Sequence, residues 1–203
     1  MTEGTKERSI AGLVLAAGES RRMGEDKALL DYQGRPFLEV VLDNLRLAGI
    51  GRRVVVLGHN AATIQNRVKL GDAAAVINVE YRRGQTSSLQ IGLRAINAAG
   101  VDAVLVCLVD HPAAGPETMR QLARVFLRTG APVVIPVYQD RRGHPVLVSR
   151  ALFPELLDLD PEQGANTVVR KYRSTTEWVP VNDPGVLLDI DQPGDYWDLI
   201  RRD

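Results

Sequence analysis

Residues 10–27 read IAGLVLAAGESRRMGEDK, and the fold follows from the way this stretch changes character. Ile10 to Leu15 is a short apolar run with the length and branched content of a buried strand. Ala16, Ala17, Gly18 and Ser20 follow, all small, and then come Arg21, Arg22, Met23, Gly24 and Lys27. Small residues let a backbone turn tightly and present its N–H groups to a ligand, while the cations supply countercharge. A strand, a small-residue loop, two arginines and a lysine together describe a place for a polyphosphate. The spacing is not G-x-x-x-x-G-K-[ST], because Glu25 and Asp26 separate Gly24 from Lys27. Nor is it G-x-G-x-x-G, because position 20 is Ser. The alternative is a basic surface loop after a core strand, but a loop that only connects has no need of so many fixed residue types.

Outward from this stretch, strands alternate with helices. Arg53–Leu57, Ala75–Asn78, Ala103–Val109 and Val133–Val137 read as strands. Pro36 opens a helix with Phe37, Val41, Leu45 and Ala48 on one face, and Gly49 ends it. Asn60 is placed to cap a modest helix through Leu70. Thr86 or Ser87 is placed to cap one carrying Leu89, Leu93 and Ile96 and finished by Gly100. Pro116–Thr129 is a helix stopped by Gly130. This alternation predicts an α/β fold with a doubly wound, mostly parallel sheet. Ala103–Val109 is apolar without alternation, so it should be a central parallel strand covered on both faces. The segment from Asp140 through Gly143-His144-Pro145 to Leu147 breaks the alternation and reads as a small hairpin insertion over the carboxyl edge.

The 203 residues suit one domain over 1–203, with residues 1–8 expected outside its ordered part. Lys+Arg and Asp+Glu are equal at 25 each, which excludes a global field for nucleic acid or an anionic membrane. Anion binding must come from local clusters. The single Cys107 lies in an apolar run, so no internal disulfide forms and a reducing compartment fits. MTEGTKERS lacks the apolar core of a signal peptide, and no run reaches transmembrane length. A soluble, cytoplasmic protein is expected.

Leu15 to Lys27 resembles, without a mismatch, the signature L-A-A-G-x-S-x-R-M-G-x-x-K of the MobA-like NTP transferases. Three further markers follow in that family's order. Gly84–Leu89 is similar to G-x-[ST]-S-S-L, and Leu108–Pro112 to L-x-D-x-P. Asp189-Ile190-Asp191-Gln192-Pro193 is similar to D-[IV]-D-T-P-E-D. The resemblance runs from about Ser9 to Ile200. It departs at His111, where many relatives carry Gln, and at Asn166, where they have the Arg of G-A-R. The serine loop and Gly143-His144-Pro145 look most like the molybdenum-cofactor cytidylyltransferase branch.

The resemblance implies a Rossmann-like nucleotidyltransferase fold and a Mg²⁺-dependent transfer of CMP from CTP to a phosphorylated acceptor, the molybdenum-pterin cofactor. Pyrophosphate would be released, and a molybdoenzyme would receive the product. It implies catalytic roles for Arg22, Lys27 and Asp110. Nucleotide contacts fall on Leu15, Ala16, Ala17, Gly18, Ser20, Arg22 and Lys27, with Gly84, Ser87 and Ser88 at the base. His144 and Asn166 face the acceptor, and Asp110 and Asp191 hold the metal. The residues alone leave Asp110 open as a turn cap and Asp191 open as a cap of the last helix. Asp189 and Asp191 share one face opposite Ile190 if the segment is extended, so Asp189 competes for the metal. Two transferase rivals take a sugar phosphate or an isoprenoid precursor as acceptor. A non-catalytic nucleotide-binding protein is another rival. A nicotinamide-dependent dehydrogenase is disfavoured by the missing glycine triplet.

Overall fold

A computed structural model of the chain describes residues 8–97 and 100–201. Its elements are β1 Ile10–Ala16, β2 Asp31–Tyr32, β3 Arg35–Pro36, α1 Phe37–Leu47, β4 Arg52–Leu57, α2 Ala61–Arg67 and β5 Ala74–Ile77. They continue with α3 Gln85–Asn97, β6 Ala103–Leu108, α4 Pro116–Thr129, β7 Val133–Tyr138, β8 Arg141–Arg142 and β9 Val146–Ser149. The last are α5 Phe153–Asp158, α6 Asn166–Lys171, β10 Glu177–Pro180 and α7 Pro193–Ile200. The main sheet runs β10-β7-β9-β6-β1-β4-β5, with β8 paired to β7.

Period-two alternation along the central strands feeds two cores, as a sheet covered on both faces requires. Val14, Leu105 and Cys107 point to the side packed by Leu45 of α1, Phe126 of α4 and Leu199 of α7. Leu13, Leu15 and Val104 point to the side packed by Leu93 of α3, Phe153 of α5 and Val168 of α6. Each fully buried Leu, Val or Phe contributes roughly 1.5–3 kcal/mol. An exposed ion pair gives about 0–1 kcal/mol. The sheet faces therefore dominate stability, and the many surface Arg–Glu pairs are secondary.

Two expectations change here. β6 pairs in parallel with β1 alone, and its other neighbour, β9, is antiparallel. The alternation does break after β7, and β8 stands at the carboxyl end of β7, pairing at Val137 and Tyr138. The returning chain does not stay over that edge, however. β9 enters the sheet between β6 and β7, its Val146, Leu147 and Val148 covering strand edges that would otherwise be unpaired.

Local signals were overridden at two points. Helix α3 begins at Gln85, because Gly84 at φ 112 breaks the backbone two residues before the first hydroxyl. Thr86 and Ser87 thus sit in its first turn rather than capping it, and both are buried. Asn60 is left-handed at φ 51, and its amide donates to Asp26 instead of capping α2. Most of the expected disorder at 1–8 lies outside the described residues. Arg8, which is described, donates to the carbonyls of Phe126 and Leu127.

Candidate active site

Sheet order reverses between β1 and β6: β1 leads outward through β4 to β5, and the chain then returns to the other side of β1. Open α/β sheets bind ligands beyond the carboxyl ends of their strands at such a point. Registers bring the ends level, with Leu15 opposite Leu108 and Ala16 opposite Leu57. The loops beyond are stitched together by Val109 N–H to Leu15 O, His59 N–H to Ala17 O and Asn78 N–H to Leu57 O. A Cβ on Gly58 would lie 2.7 Å from Ala17 O and 2.8 Å from Tyr81 Cβ, so only glycine lets these loops meet.

Above these ends lies a cavity of about 540 Å³, within the range of small-molecule sites. Of the residues expected at the nucleotide, Leu15, Ala16, Ala17, Gly18, Ser20, Arg22, Lys27, Gly84 and Ser88 line it, together with Asp110 and Asp191. Ser20 shapes the loop: its carbonyl accepts from Met23 and Gly24, and its hydroxyl accepts from Lys27 N–H at 3.0 Å. Lys27 Nζ bridges Asp110 Oδ2 at 2.9 Å and Asp191 Oδ1 at 2.7 Å, and Arg22 reaches Asp191 Oδ2 at 3.0 Å. Burial alone would lower the Lys27 pKa, but the two carboxylates outweigh it and hold Lys27 above its ordinary value. Hydrogen bonding from Lys27 holds Asp191 below the usual carboxylate range.

Asp191 does not cap the last helix. Gln192 is the N-cap of α7, in a capping box with Asp195, and Asp195 Oδ2 also accepts from Asp191 N–H. Ile190 is buried and its N–H donates to Asp110 O at 3.0 Å, so Asp189 and Asp191 flank Asp110 on the other face. No strand forms at 188–192, but the alternation of sides holds. Asp189 is exposed as a residue, but partial withdrawal of its carboxyl from water, then the charges of Asp110 and Asp191, push it up to about 6. A ring nitrogen of His111 and one oxygen each from Asp110 and Asp189 lie within 4.8 Å of one another. Asp110 Oδ1 is buried with no hydrogen-bond partner, which fits a carboxylate shaped to meet a cation.

Other expected residues lie differently. Ser87 turns away from the cavity: its hydroxyl donates to Gly84 O, and it accepts, as Ser88 does, from Asn78 Nδ2. It lines a second, smaller cavity with Gln90 and Arg94. His144 packs its ring 4.9 Å from that of His111 and is not among the lining groups. Burial, then the neighbouring His111, lowers its pKa to about 4. Asn166 is exposed at the start of α6 and lines neither cavity.

Three contributors were missed by sequence reasoning. Glu19 accepts from Arg21 and, at 2.7 Å, from Arg82, which ties the small-residue loop to the turn before α3 and drives the Glu19 pKa down to about 2. Asp26 accepts from Asn60 at 2.8 Å and stands 3.3 Å from His59 Nδ1. Asn78 holds both serine hydroxyls. None carries a local signal, because each acts on a residue from a different strand end.

A small-residue loop, a lysine and flanking carboxylates at the switch point of a parallel sheet define an enzyme of the nucleotidyltransferase class. The chain belongs to the MobA-like NTP transferase family, whose domain matches residues 12–176. It is similar in structure to Rv0371c from Mycobacterium tuberculosis H37Rv, with TM-score 0.83 and 30% identity over 96% of this chain and 99% of that one. Rv0371c has also been solved in complex with manganese (TM-score 0.81, 29% identity, 95% and 98% coverage). A "Probable molybdenum cofactor guanylyltransferase" of M. tuberculosis H37Rv is 35% identical over 66% of this chain and 64% of its own length. The "Nicotine blue oxidoreductase" of Paenarthrobacter nicotinovorans is 28% identical over 94% of this chain and 96% of that protein. Among the described residues no helix is long and apolar enough to cross a membrane.

Proposed function

We propose that this protein transfers CMP from CTP to the phosphate of the molybdenum-pterin cofactor, releases pyrophosphate, uses Mg²⁺, and works in the cytoplasm. The product then passes to a molybdoenzyme. The observation that carries the reading is Lys27 held between Asp110 and Asp191 beneath a small-residue loop at the switch point. An acceptor phosphate oxygen forms a bond to the α-phosphorus as the bond to pyrophosphate breaks, in line. Both reactants are anions, so positioning and charge neutralisation are the main tasks. Arg22, Lys27 and the N–H groups around Gly18 hold the triphosphate, and Lys27 exchanges its carboxylate partners for phosphate as nucleotide arrives. Asp110 and Asp191 would hold the metal, which would supply positive charge to offset that of the reacting phosphates. The manganese complex of Rv0371c supports a divalent ion.

Ser88, whose hydroxyl accepts from Asn78 and so keeps its own proton to give, meets the base together with Gly84, while Ser87 supports them through Gly84 O and Asn78. We take the small edge of cytosine to be its partner. We assign His144 and Asn166 to the acceptor side, outside the groups that line the cavity. Pyrophosphate release with Mg²⁺, each of the four NTPs and a panel of phosphorylated acceptors tests the whole reading. Calorimetric titration with CTP and GTP tests the base, and equal or tighter GTP binding overturns cytosine.

The full-length relative named an oxidoreductase favours a second reading. A dinucleotide presents a diphosphate to the same loop, so a nicotinamide-dependent reductase would use the cleft differently. Oxidation of NADH or NADPH with a panel of quinonoid dyes, without pyrophosphate release from any NTP, selects it.

A further inference from the structure

We infer that Asp110, His111 and Asp189 form a mixed nitrogen–oxygen site for a borderline divalent cation such as Co²⁺ or Zn²⁺, sharing Asp110 with the oxygen-only site at Asp110 and Asp191 but differing from it in its other ligands. Three donor atoms, one from each residue, already lie within 4.8 Å of one another. Two independent features point to a ligand. His111 is 8% exposed and its Nδ1 is buried with no hydrogen-bond partner. Asp110 Oδ1 is likewise buried without a partner, because Lys27 engages only Oδ2. Buried polar groups of this kind are nearly always satisfied in native proteins, and two at one corner need a common explanation. A cation meets both.

The frame is rigid enough to hold a coordination geometry. His111 N–H donates to Leu108 O, and Ile190 N–H donates to Asp110 O, which joins the end of β6 to the 189–191 segment. Ile190 is 2% exposed and anchors Asp189 from the core side. The His144 ring, its backbone N–H fixed to Val186 O, covers His111 from behind. Imidazole suits borderline ions such as Zn²⁺ and Co²⁺, whereas Mg²⁺ and Mn²⁺ favour oxygen ligands and Mg²⁺ retains water. The ligand set thus predicts which ion the corner prefers.

The inference shares the cleft of the proposed transferase but none of its substrates, so the test uses metal alone. Purified, chelator-treated protein is titrated with Co²⁺, Zn²⁺ and Mg²⁺ by calorimetry, and Co²⁺ is also followed by its visible bands. Wild type should bind Co²⁺ and Zn²⁺ at least tenfold more tightly than Mg²⁺. His111→Gln, which offers an oxygen at similar reach, should lose at least tenfold in Co²⁺ affinity, shift the bands and leave Mg²⁺ affinity unchanged. Asp189→Asn should weaken Co²⁺ by a similar factor, and it decides the matter if the His111 variant does not fold. Equal affinity for Mg²⁺ and Co²⁺ in wild type, or a folded His111→Gln or Asp189→Asn variant with wild-type Co²⁺ affinity, would overturn the assignment. Because no nucleotide is present, failure of the transferase assay leaves this result standing, and the reverse also holds.

Discussion

Lys27 is the residue on which the cleft's charge balance turns. Its ammonium is the shared partner of Asp110 and Asp191, so its loss leaves Asp110 without its ion pair and Asp191 with that to Arg22. Lys27→Met should lower kcat by about 10²–10³, the scale set by removing one donor to developing charge. It should also weaken NTP binding while far-ultraviolet dichroism stays native. Turnover within threefold of wild type would remove Lys27 from the chemistry. His144 makes a separate, pH-dependent prediction. With its pKa lowered to about 4 in the folded protein against 6.5 unfolded, the unfolded chain binds the extra proton between those values. There is no cost above pH 6.5; the cost grows as pH falls and levels near pH 4, at most about 3 kcal/mol. His111, also lowered by burial, acts in the same direction. Urea unfolding at pH 7 and pH 5 should show a loss that His144→Gln reduces; an unchanged loss would assign the acid sensitivity elsewhere.

Among the elements, α3 carries the most consequence, because its position sets where Gly84 and Ser88 stand. It packs on β1 and β4 so closely that a Cβ on Gly92 would fall 2.4 Å from Leu13 Cδ1 and 3.0 Å from Val56 Cγ2. Gly92→Ala gains helix propensity worth about 1 kcal/mol, but overpacking costs about 1–3 kcal/mol and should prevail. Thermal melts should therefore show a lower Tm, with weakened CTP binding as α3 shifts outward. A raised Tm would mean the helix accommodates the methyl group. Most of this architecture was legible beforehand. The apolar runs of β1, β4, β6 and β7, the Pro-to-Gly span of α4 and the Leu15–Lys27 loop each carry strong local signals. What was not legible were decisions taken between elements. The hydroxyls of 86–88 advertise a cap, yet Asn78, Gly84 and Gln163 engage them instead. The segment 146–149 is too short to say which strands it will join. The Glu19–Arg82 and Asp26–Asn60 contacts exist only once the strand ends are gathered.

At the scale of the whole molecule, Cys107 lies in the core side of β6 at 3% exposure, and burial pushes its thiol far above the ordinary range. Native protein should therefore resist a thiol reagent that reacts at once after denaturation, and rapid native reaction would show that β6 opens readily. That strand also dates the assembly of the fold. Until residues 146–149 exist, β6 has a neighbour on one side only, and β7 has nothing to join it to the rest. A chain that ends after its first 140 residues is thus a four-stranded half-sheet with a bare, apolar edge, the kind of surface that recruits other chains. The antiparallel strand is the late stitch that retires this hazard. A chain truncated before Val146 should accumulate in inclusion bodies or bind chaperones, although it keeps the whole small-residue loop, Lys27 and Asp110.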